Sequence, residues 1–105
     1  MSVVQQGYDC LRGYALTSYE NLVKKLGNPI LQNAWNDNGI DILWIIRNQN
    51  EDVYIRVYND NEDVTPLTEP KSIYAWHIGG TSRKSLVDFE RIVGISTIVD
   101  NNSNP

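Results

Sequence analysis

The chain has 105 residues, 41% of them hydrophobic and 21% charged, with a formal net charge of −4. That is the size and composition of one ordinary globular domain. A single cysteine (Cys10) and a single histidine (His77) exclude an internal disulfide and a zinc site with the usual ligand set, and the acidic balance argues against direct nucleic-acid binding through a broad basic surface.

The opening residues carry no basic stretch followed by an apolar run, so no secretory signal is expected. No segment nears the roughly 20 apolar residues that span a bilayer, so neither a membrane anchor nor a membrane partner is expected. The tail 100–105 (DNNSNP) reads as disordered and residues 1–6 as loose, and residues 1–99 read as one domain.

The first helix is the clearest element. Thr17-Ser18-Tyr19-Glu20 has the spacing of a capping box, with Thr17 as cap. Tyr19, Leu22, Val23 and Leu26 make one apolar stripe, Lys24 and Lys25 suit the negative end of the dipole, and Gly27 and Pro29 end the helix. Asn33 to Gly39 reads as a polar loop around Trp35. In 40–47, Ile40, Ile42, Trp44 and Ile46 alternate with Leu43 and Ile45, and a turn at Asn48-Gln49-Asn50 leads into a second strand, 53–58. There Val53, Ile55 and Val57 face one way and Tyr54, Arg56 and Tyr58 the other. These two strands predict an antiparallel hairpin.

A loop with Pro66 and Pro70 follows, then a third strand over 73–78 that Gly79-Gly80 should break. Thr81 or Ser82 should cap a second helix to about Val93, with Leu86, Phe89 and Val93 as its stripe and Gly94 as its stop. Residues 8–16 and 95–99 could add edge strands. The expected fold is α+β: an antiparallel sheet of three to five strands, in the order helix-strand-strand-strand-helix, with both helices on its aliphatic face. The other face would present Tyr54, Arg56 and Tyr58, with some of Leu43, Tyr74 and Trp76, as a candidate binding surface, unless the N-terminal segment or a second copy of the chain covers it. Trp35 and Asp60 would extend it, Asp60 within an acidic group with Glu51, Asp52, Glu62 and Asp63. A solvated hairpin turn and loop also account for those acids.

The run Trp76-His77-Ile78-Gly79-Gly80-Thr81-Ser82-Arg83 reads as strand, tight turn and helix start. Free amides there could cradle a phosphate, with Trp76, His77 and Arg83 as further contacts, although the run is neither a Walker A nor a GxGxxG sequence. The plainer account is a turn followed by an ordinary cap. His77 has no partnered nucleophile at a diagnostic spacing, so a catalytic role is not expected, and no cofactor is implied. Cys10 reads as a buried or half-buried thiol.

Gly13-Tyr14, Thr17-Ser18-Tyr19, Leu22-Val23, Leu26-Gly27-Asn28-Pro29, Val57-Tyr58-Asn59-Asp60 and Trp76-His77-Ile78-Gly79-Gly80 together resemble a group of small uncharacterised proteins encoded by bacteriophages. The resemblance spans about residues 13–90, and Trp-His-Ile-Gly-Gly is its most specific string. It implies a viral accessory protein in the cytoplasm of an infected host cell. Such a protein would antagonise a host defence by binding a host protein, for instance a nuclease. The alternatives are a sponge that sequesters a nucleotide messenger at the Gly-Gly-Thr-Ser turn, and a small phosphodiesterase-like enzyme using His77.

Overall fold

A computed structural model describes residues 10–33, 40–48, 53–59 and 69–101, with the backbone alone at residues 32, 33, 40, 41, 48, 53 and 54. The elements run β1 (Cys10–Leu16), α1 (Tyr19–Leu26), β2 (Ile30–Asn33), β3 (Ile40–Asn48), β4 (Val53–Tyr58), a 3-10 turn (Pro70–Ser72), β5 (Ala75–Gly80), α2 (Lys84–Val93) and β6 (Ile98–Val99). The strands form one open sheet in the order β2-β3-β4-β5-β1-β6, and every neighbouring pair is antiparallel. The fold is therefore α+β, with two helices and six strands among the described residues, more strands than the three to five expected.

Alternation decides which side of the sheet is covered. Ile42 and Trp44 of β3, Ile55 and Val57 of β4, Trp76 and Ile78 of β5 and Ala15 of β1 are buried together with Leu22 of α1 and Leu86, Phe89 and Val93 of α2. Both helices thus lie on one face and share one core.

Two tryptophans tie α1 to that core at its two ends. The Trp76 indole N–H donates to the Thr17 carbonyl just before the helix at 2.9 Å, and the Trp44 indole donates to the Gly27 carbonyl just after it at 2.8 Å. Their rings meet edge to face with centroids 5.4 Å apart, and the Tyr19 ring lies 5.9 Å from Trp44 and 6.4 Å from Trp76. The cap of α1 is Ser18, not Thr17. Ser18 is extended (φ −78°, ψ 154°) and its hydroxyl accepts from the Asn21 amide, while the Thr17 hydroxyl accepts from the Asn21 side chain. Gly27 takes φ 88° at the far end, where its amide donates to the Val23 carbonyl. A residue with a Cβ adopts that angle only under strain.

Three segments depart from the sequence reading. Ile30–Asn33 is a strand that the sequence does not announce, since four residues directly after Pro29 are too few to show alternation. The segment at 10–16 is not an edge: β1 lies between β5 and β6. The third strand is shifted by two residues, so Gly79 and Gly80 do not break it but are its last members, paired with Leu11 and Cys10 on one side and with Arg56 and Ile55 on the other. Cys10 is exposed rather than buried. Asp100, expected in the disordered tail, donates its amide to the Arg12 carbonyl at 2.9 Å. The expected turn at residues 49–50, the loose residues 1–6 and the remainder of the tail, 102–105, lie outside the described residues.

No described helix is long and apolar enough to cross a membrane.

Candidate functional site

Of the phosphate cradle expected at Gly79-Gly80-Thr81-Ser82, the two glycines form no turn: they end β5, and the chain bends after them, at Thr81 and Ser82. Gly79 and Gly80 are buried within the ladder. The Gly80 and Thr81 carbonyls accept from the Arg12 guanidinium at 3.0 and 2.8 Å, which draws the strand end inward. The first three amides of α2 are also accepted from within the chain: that of Lys84 by the Ser82 hydroxyl, that of Ser85 by the Ser82 carbonyl and that of Leu86 by the Arg83 carbonyl. Ser82 still serves the helix start, but Arg83 occupies the cap position without a side-chain bond. Arg83 instead reaches the Asp100 carbonyl at 3.4 Å. Trp76 is fully buried against α1, so it stands neither beside a phosphate nor on the face away from the helices. The pattern Tyr74, Trp76, Ile78 is compatible with either face. The buried partners Ala15 and Val57, which pair with Trp76 and Ile78, place it inside.

The face that carries neither helix is organised by the register. One position from every strand falls in line across it: Ile30, Leu43, Tyr58, His77, Tyr14 and Ile98, in the order β2-β3-β4-β5-β1-β6. Directly opposed side chains on antiparallel strands are close enough to touch, and His77 does so on both sides. Its ring centroid is 5.3 Å from Tyr14 and 5.3 Å from Tyr58, each pair edge to face. The next line is Ile45, Arg56, Gly79 and Leu11. There the Arg56 guanidinium sits 4.9 Å from the Tyr58 ring centroid, a cation–π contact.

Several large apolar side chains of this face stand in solvent: Leu16 is 56% exposed, Ile30 51%, Ile98 52% and Ile45 44%. Tyr14, Tyr58, His77 and Arg56 are half-buried. The partner residues Arg56 and Tyr58, expected here from strand alternation, thus lie on this face together with His77. The backbone of Tyr54 is opposite Arg47 in β4. Trp35, Asp60 and the acidic group Glu51, Asp52, Glu62 and Asp63 lie outside the described residues. Tyr14, Ile30 and Ile98 belong to the same line but were missed. Only the strand order brings them beside residues distant in sequence. Among the described residues no three of histidine, cysteine, aspartate and glutamate gather where they could hold a metal ion.

No family model matches this chain, and no curated protein or solved structure is similar to it.

Proposed function

We propose that the protein acts by binding, without catalysis, and that the sheet face opposite the two described helices docks on a protein of the host whose defence it antagonises. The observation that carries the docking is the six-strand line Ile30-Leu43-Tyr58-His77-Tyr14-Ile98, apolar or aromatic at every position and flanked by exposed Ile45 and Leu16. Exposed apolar side chains gathered on one face around half-buried aromatics are costly in water unless a partner covers them. Tyrosine and arginine at its centre are the residue types that dominate protein interfaces, because each joins a large contact area to a polar handle. The viral setting rests on the resemblance of Trp76-His77-Ile78-Gly79-Gly80 and its companions to bacteriophage proteins. A nucleotide sponge is the weaker reading, since the two glycines lie in the ladder and the first three amides of α2 have acceptors within the chain.

The test compares proteins co-purifying from host cells with the wild-type chain and with Ile45→Lys, Tyr58→Ala and Val87→Lys. Val87 is 61% exposed on α2 and serves as the control on the opposite side. A specific partner should be lost with the two sheet variants and kept with Val87→Lys. Retention of the same partner by all three would remove the face from the account.

A further inference from the structure

We propose that β6 is a detachable strap, held shut by a carboxylate clasp and able to leave the sheet while the other five strands stay folded. The inference concerns the edge of β1 and does not depend on what the sheet face binds.

β6 has two residues, and it covers little. Ile98 is 52% and Val99 43% exposed, so neither anchors in the core. They pair with Tyr14 and Gly13, two of the seven residues of β1. A two-residue strand is far below the length at which pairing alone is stable. Its attachments are therefore few and mostly polar: Arg83 reaches the Asp100 carbonyl at 3.4 Å, and Ile95, just before the strap, packs against the core. The Asp100 amide donates to the Arg12 carbonyl at 2.9 Å. At the other end, the amide and hydroxyl of Thr97 both donate to one carboxylate oxygen of Glu90, at 2.7 and 2.6 Å. Glu90 also accepts the Gly94 amide through its carbonyl, so one residue of α2 fixes both the helix stop and the return of the chain. Gly94 makes that return possible at φ 83°.

The seat of the strap is Gly13. A Cβ there would collide with the Ile98 carbonyl oxygen and stand 3.0 Å from a Leu86 methyl. The strap closes only because this position of β1 has no side chain. When it opens, the backbone edge of β1 at Gly13 and Tyr14 is bared, and Ile98 leaves its place beside Tyr14. Segments with few buried apolar contacts open below the global unfolding free energy, as units.

Native-state amide exchange by NMR reads this directly. In the wild-type chain the Thr97 and Asp100 amides should exchange by an opening insensitive to low denaturant. Amides of β5 should exchange only through denaturant-sensitive unfolding. Thr97→Val should lower the protection of the Asp100 amide about tenfold or more, the loss of a hydrogen bond to a charged group, and leave β5 unchanged. Thr97→Ser should restore it. Equal denaturant dependence for Asp100 and for β5 amides would overturn the proposal. So would a parallel loss of protection in both when Thr97→Val is introduced.

Discussion

Replacing Trp76 by phenylalanine removes one hydrogen atom of consequence. The Trp76 side chain is fully buried and its indole N–H is bonded to the carbonyl of Thr17, itself a buried residue. The phenyl ring keeps most of the apolar contact with Leu22 and Phe89 but leaves that carbonyl without its donor. A buried acceptor stripped of its partner costs about 1–3 kcal/mol, and the void left by the missing half of the indole adds about 1 kcal/mol. The expected loss is therefore about 2–4 kcal/mol, a large part of the stability of a domain this size. Trp44→Phe makes the matching change at the other end of α1, but there the acceptor belongs to exposed Gly27, where water can replace the donor. It should cost less. Urea unfolding followed by far-ultraviolet circular dichroism measures both, with equal slopes expected for the two variants. If Trp76→Phe costs under about 0.5 kcal/mol against a normal buried hydrogen bond, the view of two indoles clamping α1 fails; if Trp44→Phe costs as much as Trp76→Phe, water does not replace the donor at Gly27.

Other predictions follow from the same contacts. Arg12→Met should cost about 2–3 kcal/mol by thermal melting, because two carbonyls at the end of β5 lose a charged donor, and Arg12→Lys should not restore it, since an ammonium lacks the forked geometry. Gly13→Ala should destabilise by about 1–3 kcal/mol and release β6 first, seen as loss of Asp100 amide protection. Ile45→Lys should leave unfolding stability within about 0.5 kcal/mol while abolishing partner capture, because the residue is exposed. The Glu90 carboxyl is held below its ordinary value, first by the Thr97 hydroxyl and then by the Thr97 amide. Its folded pKa is therefore lower than its unfolded one. The stabilisation is complete above the ordinary carboxylate range and disappears as pH falls through the lowered value. Thr97 amide protection should drop on acidification through that range, and Glu90→Gln should flatten this dependence.

The parts of the fold written in local pattern were legible in the sequence. The limits of β4 and the end of α1 follow from alternation and from Gly27. Ser18 displaced Thr17 as the cap because the Thr17 carbonyl and hydroxyl already had partners in Trp76 and Asn21. Gly79-Gly80 misled for a tertiary reason. Two glycines usually punctuate a strand, but here strands on both sides hold them in the ladder and Arg12 binds the last carbonyl. That single fact moved the strand, delayed α2 and put the two glycines in the ladder rather than in a turn. The proposed docking face was half legible. Arg56 and Tyr58 follow from alternation within β4, whereas Tyr14 and Ile98 depend on a strand order that brings β1 beside β5 and β6 beside β1. No local pattern encodes that order.

The most direct test of the recognition face is its openness in solution. With methyl-labelled protein, a soluble paramagnetic agent should broaden the methyl signals of Ile30, Ile45 and Ile98 strongly and leave those of Ile42, Ile55 and Ile78 sharp. If Ile30, Ile45 and Ile98 stay as sharp as the core methyls, the face is closed within one copy of the chain and the docking account is contradicted.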